Sequence, residues 1–253
     1  MIAAVAMTLA LFLAGVLIGG VVNQLGSDLP ARRSPTKPHC AYCGQERPWW
    51  QWLGVSAYLA RRVGCPSCGA PVGLRRPLVE VGLGLAFGYL WVIIGPSVAL
   101  VVYMLYSIIF ALVLITDIER RLILNVVTYP AMALALGASF VVPGITWQSA
   151  LVGGAVGLLV FFLLAVVGNA LYGSGAMGGG DVKLAAFVGM ITGFPLVIVA
   201  IVITILIGAG VSLALVLSRL RSLNDYVPYG PFLVAGGIIT LLWGYQIAAW
   251  FLL

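Results

Sequence analysis

Val98-Ala-Leu-Val-Val-Tyr-Met-Leu-Tyr-Ser-Ile-Ile-Phe-Ala-Leu-Val-Leu-Ile-Thr116 runs without a charged residue and then meets Asp117. A run of that length matches a helix crossing the hydrocarbon core, where backbone N–H and C=O groups must be satisfied inside the chain. The pattern repeats on both sides of it. Apolar runs near 3–23, 78–94, 98–116, 125–142, 150–171, 182–192, 195–217 and 231–253 predict an all-α polytopic membrane protein of about eight spans. The sixth is short, a half-span or re-entrant helix broken from its neighbour at Gly193, Phe194 and Pro195. With 62% hydrophobic and 8% charged residues, the chain lacks the polar surface that a water-soluble domain requires.

Lys and Arg beside spans are retained on the cytoplasmic side. Eight crossings with both termini outside put all 13 Lys and Arg inside. Most lie in one loop (Arg32, Arg33, Lys37, Arg47, Arg61, Arg62, Arg75 and Arg76), and Arg120, Arg121, Lys183, Arg219 and Arg221 mark the other inner turns. A seven-span count would push Arg219 and Arg221 outside. The net charge of +6 therefore reflects topology and does not argue for nucleic acid. The first span lacks the basic leading region of a signal peptide, and among so many spans it is expected to stay in place.

The chain divides by composition into a first span, 1–23, a polar segment, 24–76, and a membrane segment, 77–253. The polar segment holds all four cysteines, as Cys40-Ala-Tyr-Cys43 and Cys65-Pro-Ser-Cys68, separated by 21 residues. Each pair offers two thiolates to one tetrahedral ion, and Gly44 and Gly69 supply the turns such knuckles use. Two disulfides or free thiols are the alternative, which a reducing compartment disfavours. Four sulfurs complete a coordination shell, so the expected zinc is structural and His39 is redundant.

Acids are scarce: Asp28, Glu46, Glu80, Asp117, Glu119, Asp181 and Asp225. An ionisable group at an apolar helix end calls for a reason. Asp117 closes the third span, and Asp181 ends the glycine-rich stretch 172–181 at the start of the sixth. The topology brings both to one membrane face. Asp117 has the alternative of an ion pair with Arg120 or Arg121, and Asp181 that of an ordinary helix cap. Taken together they read as a dyad that shares one proton, one member acting as base and the other as acid in peptide hydrolysis. A proton- or ion-coupled transporter using the same carboxylates is the rival from another class, and a zinc-dependent adaptor without activity is a third.

Gly178-Gly-Gly-Asp181-Val-Lys-Leu184 resembles the GxGD signature of membrane aspartyl proteases, specifically the bacterial type IV prepilin peptidases. The resemblance covers nearly the whole chain: Asn23 followed by Pro30, the two CxxC pairs, and Pro77-Leu-Val-Glu80 at the mouth of the second span. Asp117 then stands six residues before Ile123-Leu124-Asn125, and Pro228-Tyr-Gly-Pro-Phe232 comes near the end. It implies an inner-membrane enzyme that removes the basic leader from type IV prepilins or type II secretion pseudopilins. It also implies, for many members, methylation of the new N-terminal amine with S-adenosylmethionine. Asp117 and Asp181 match the catalytic aspartates, and Cys40, Cys43, Cys65 and Cys68 the zinc ligands. Asn23, Glu80 and the loop of Trp49, Trp50 and Trp52 are candidates for methyl transfer, with an interfacial aromatic belt as the other reading of the tryptophans. Glu80 has the further alternative of pairing with Arg75 or Arg76. The sequence departs from the family pattern at Asp28, at Leu124 and at Arg76, where Arg, Pro and Tyr respectively are frequent. A signal-peptide-peptidase or presenilin type would share GxGD, but no Pro-Ala-Leu motif is found.

Overall fold

The computed structural model describes residues 2–31, 36–40, 42–172, 177–220 and 228–252. Arg32, Arg33, Arg221, Asp225 and part of the glycine-rich stretch, 173–176, lie outside the described residues. The fold is all-helical and multi-span. Its helices are α1 (Ile2–Asp28), α2 (Gly54–Leu59), α3 (Arg75–Ile94), α4 (Val98–Arg120), α5 (Asn125–Ala138), α6 (Trp147–Tyr172), α7 (Gly179–Thr192), α8 (Leu196–Leu217) and α9 (Gly230–Leu252). Among the described residues, α1, α3, α4, α6, α8 and α9 are long and apolar enough to cross a bilayer.

Every apolar run read as a span holds a helix, but two are short. α5 and α7 have 14 residues each, or about 21 Å at 1.5 Å per residue, against a hydrocarbon core of roughly 30 Å. α7 ends where the sequence expects a break: Gly193 closes it with φ 70°, and α8 begins after Pro195. α5 ends at Ala138, four residues before the apolar run does, because Ser139 turns its hydroxyl onto the Leu136 carbonyl and residues 139–142 enter turns.

The chain forms two compact units, Met1–Thr116 and Asp117–Leu253. In the first, α1 and α3 pack along their length through small residues. A Cβ on Gly15 would lie 2.7 Å from the Gly84 Cα, and one on Gly84 would lie 2.9 Å from the Phe12 carbonyl. Within lipid no hydrophobic force drives two helices together, so such close backbone approach supplies the dispersion contact instead. In the second unit α6 and α7 cross in the same way at Gly153, Gly157, Ala185 and Gly189. α7 is buried almost throughout: residues 184–192 are all shielded. A helix enclosed by its neighbours does not need to be long enough to span lipid by itself.

Candidate active site and metal centre

In the first unit, the polar segment builds two matching knuckles. The amides of Cys40 and Gly44 bond to the Gln45 and Cys40 carbonyls, and those of Cys65 and Gly69 to the Ala70 and Cys65 carbonyls. Gly44 and Gly69 hold φ of 72° and 73°, the left-handed conformation that a side chain would strain. The sulfurs of Cys40, Cys43, Cys65 and Cys68 converge within 4.8 Å of one another. The Cys40–Cys68 and Cys43–Cys65 sulfur pairs stand 3.7 and 3.8 Å apart. Four sulfurs about 2.3 Å from zinc would sit about 3.8 Å apart at the corners of a tetrahedron. The cysteines are free of disulfides.

The electrostatics agree with that geometry. Burial pushes the Cys40 thiol up, yet the amides of Cys43 and Tyr42 and the neighbouring thiols outweigh it and bring it down to about 6. Amides of Cys68 and Ser67 hold the Cys65 thiol below its ordinary value. The Ala70 amide favours the Cys68 thiolate, but burial and the other three sulfurs prevail and push it up to about 12. Four crowded sulfurs cannot all ionise unless a cation balances them, so the donor set fits a divalent metal. His39 is not a fifth ligand here; its Nδ1 lies 3.2 Å from the Thr36 hydroxyl and 3.4 Å from the Gln24 amide.

Beside the knuckles lies a buried polar cluster that the sequence indicates only in part. Glu80 has no exposed surface. Its two carboxylate oxygens accept the amides of Gly54 and Val55, each at 2.8 Å, so it caps the first turn of α2. Asn23 donates Nδ2 to the Arg76 carbonyl at 3.0 Å and to Glu80 Oε1 at 3.4 Å. Gln24 bridges two charges: its Nε2 donates to Asp28 at 3.1 Å, and its Oε1 accepts Arg76 Nη2 at 3.4 Å. Asp28 also takes the Thr36 amide and hydroxyl. Two of the departures from the family pattern, Asp28 and Arg76, are thus joined through one glutamine. Trp49 and Trp52 are exposed at the same segment's surface.

Asp117 and Asp181 both belong to the second unit and both are buried, at 3% and 4% exposure. Asp117 turns inward from the end of α4, whereas Arg120 and Arg121 one turn later are exposed. Asp181 is the third residue of α7, not its cap. Its carboxylate reaches back to the amide of the cap residue, Gly178, as in a capping box. The two carboxylates are near enough for the charge on Asp117 to act on Asp181. Each keeps one oxygen, Asp117 Oδ2 and Asp181 Oδ1, buried and without a hydrogen-bond partner among the described residues.

Two neighbours hold this pair. The amide of Gly230, at the start of α9, reaches the Asp117 carboxylate. That carboxylate occupies the space a Cβ on Gly230 would need. Tyr229 packs edge-on against Phe161 of α6 and Phe232 of α9, fixing the turn. Gly180 lies against Ile123, where a Cβ would come within 2.8 Å of the Ile123 Cβ. Lys183 donates to Asn125 Oδ1 at 2.8 Å and sits over the Tyr129 ring. The motif Pro228–Phe232 is visible in the sequence, but its contact with Asp117 is not, because it joins residues more than a hundred positions apart.

Comparison with known proteins bears on the same halves. The profile of the type IV leader peptidase family matches residues 104–213, and that of the bacterial peptidase A24 N-terminal domain matches residues 13–94. A prepilin leader peptidase/N-methyltransferase of Pseudomonas putida is 32% identical over 211 residues, covering 83% of this chain and 73% of its own. The chain belongs to the type IV leader peptidase family. A relative of the same description from Bacillus subtilis is 26% identical over 244 residues, 96% of each chain. Another, from Pseudomonas aeruginosa, is 32% identical over 216 residues, 84% of this chain and 73% of its own. No solved structure matches.

Proposed function

We propose that this protein is an inner-membrane enzyme that removes the leader from type IV prepilin or pseudopilin precursors and then methylates the new N-terminal amine. The observation that carries the first step is the buried pair Asp117 and Asp181, each with an oxygen left unpartnered among the described residues. The ionised member takes a proton from water as the water oxygen bonds to the scissile carbonyl carbon, while the protonated member gives its proton to the carbonyl oxygen. Collapse of the resulting diol returns a proton to the amide nitrogen and breaks the C–N bond. Leader carboxylate and pilin amine are the products. Gly230 and Gly178 keep the two carboxylates in place through their amides.

S-adenosylmethionine supplies an electrophilic methyl group for the second step. We place that step with the first unit, where Asn23 and Glu80 form one buried polar cluster beside the cysteines. Glu80 acts there as a scaffold, since both its oxygens hold α2. Cys40, Cys43, Cys65 and Cys68 would hold a structural zinc ion.

In this reading the first span is 1–23, the zinc segment 24–76 and the peptidase segment 77–253. The chain crosses the membrane eight times, with α5 and α7 as its short members. Both termini lie outside, and the zinc segment and both aspartates face the cytoplasm. Supporting this is that it leaves all 13 Lys and Arg on one side. A transporter reading gains nothing from carboxylates fixed by amides at a helix end, because a coupling-ion site needs a path through the membrane.

The test is to reconstitute the purified protein with a prepilin and weigh the product. Leader loss is expected with the unaltered protein and not with Asp117→Ala or Asp181→Ala; full cleavage by both variants would overturn the dyad. Added S-adenosylmethionine should append one methyl group to the cleaved pilin, and a product that stays unmethylated would confine the assignment to proteolysis.

A further inference from the structure

We infer that Arg76 and Asn23 form the subsite for the amino-acid end of S-adenosylmethionine, its α-carboxylate on Arg76 and its α-amine on Asn23. The inference rests on the methyl-transfer reading above and adds the part of the cofactor that is recognised and the residues that recognise it.

Two atoms of the buried cluster stand out. Arg76 Nη1 and Asn23 Oδ1 are shielded and have no hydrogen-bond partner among the described residues. Both side chains are more than nine-tenths buried. The Asn23 amide cannot simply be turned round, because its Nδ2 already serves two acceptors, the Arg76 carbonyl and Glu80 Oε1. Its oxygen is therefore the atom left over. Arg76 spends Nη2 on a long contact to a neutral acceptor, Gln24 Oε1 at 3.4 Å, and leaves Nη1 idle.

Glu80 acts on the Arg76 guanidinium through its charge, but no carboxylate among the described residues bonds to Nη1. Glu80 accepts the Gly54 and Val55 amides, and Asp28 accepts Gln24 and Thr36. A buried guanidinium with an unused donor is costly, and an anion is the partner that offsets it best. A vacant cationic donor and a vacant neutral acceptor in one cluster match a carboxylate and an ammonium borne on one carbon. The two residues are neighbours, since the Asn23 side chain bonds to the backbone carbonyl of Arg76, and the Arg76 guanidinium lies in the same cluster through Gln24, the residue next to Asn23. A pilin N-terminus carries the amine with only a neutral carbonyl next to it, and so answers the Asn23 oxygen but not the Arg76 charge. The charged donor decides for the free amino-acid end.

The test compares two probes bound by the full-length protein in nanodiscs. S-adenosylhomocysteine carries the amino-acid end; 5′-methylthioadenosine keeps adenosine and sulfur but lacks it. Calorimetry should show that Arg76→Met and Arg76→Lys weaken S-adenosylhomocysteine by about ten- to a hundredfold, the range of one charge-assisted hydrogen bond. Affinity for 5′-methylthioadenosine should not change, which at the same time reports an intact fold. Unaltered affinity for both probes would mean that a buried water completes these atoms, and equal loss of both in the two variants would mean a general structural role; either overturns the inference. Failure of the unaltered protein to bind S-adenosylhomocysteine would remove the methyl-transfer reading itself, a result distinct from both.

Discussion

Gly230→Ala should uncouple the dyad without touching the substrate. A Cβ at this position would overlap Asp117 Oδ2 and lie 2.9 Å from its Cγ and 3.3 Å from its Cβ. Carbon atoms in ordinary contact stand about 3.5–4.0 Å apart, so Asp117 or the start of α9 must give way by roughly 0.6 Å or more. Neither moves freely. Tyr229 is wedged between Phe161 and Phe232, and Phe161 is fully buried. A misplacement of about 1 Å at a reacting group costs on the order of a hundredfold in rate. The expected result is a fall in kcat of roughly that size for leader cleavage, with KM for prepilin unchanged because the added methyl meets the carboxylate and not the peptide. Gly210→Ala is the control, since a Cβ there meets nothing within 4 Å. Initial rates across a range of prepilin concentrations in nanodiscs would measure both constants. Wild-type kcat in Gly230→Ala would refute the argument that Gly230 leaves room for Asp117, and an effect confined to KM would move Gly230 to the peptide-binding surface.

Three further outcomes follow from the packing and the metal centre. Cys43→Ser should remove bound zinc, read by elemental analysis, and cobalt in place of zinc should give the intense thiolate absorption of a tetrahedral site in the unaltered protein only. Glu80→Gln replaces one of two amide-accepting oxygens with a donor, which should destabilise the segment around α2 by about 1–3 kcal/mol. Hydrogen exchange at Gly54 and Val55 would register it, and unchanged protection there would contradict the capping role. Gly189→Val should prevent stable folding, because a Cβ at 189 already meets the Gly153 backbone; a well-folded variant would show that α6 and α7 do not depend on that crossing.

How far the sequence reaches depends on the range of the force involved. Lipid acts on each segment separately, so each apolar run is legible as a helix, and the break at Gly193–Pro195 is legible because its backbone requirement is local. The end of α5 is not, since Val141 and Val142 suit a helix or a turn equally once lipid or protein covers them. Metal spacing is local too, and the four cysteines meet as their pattern predicts. Glu80 shows the limit. In sequence it is an acid one turn after two arginines, which suggests a charge partner; in the fold the Arg76 charge does act on it, but its oxygens also serve amides 25 and 26 residues earlier. Nothing periodic announces that contact, because it arises only when the chain returns to α3 after the knuckles.

Asp181 is the more instructive case, since its ordinary and its functional readings turn out to use different atoms. One side of the carboxylate serves the Gly178 amide, as a helix-start acid would. The other oxygen is buried without a partner among the described residues, and Asp117 shares that condition. A carboxylate present only to cap a helix gains by leaving its second oxygen in water, because burying an unpaired acceptor costs about 1–3 kcal/mol or more. Two such costs carried side by side, in a chain with seven acids, are hard to account for by helix stability. They are what a site requires if it must receive a water molecule and a peptide carbonyl between its carboxylates. The cap and the proposed dyad are therefore not rivals: the amide fixes where Asp181 stands, and the vacant oxygen is what it would offer to the reaction proposed above.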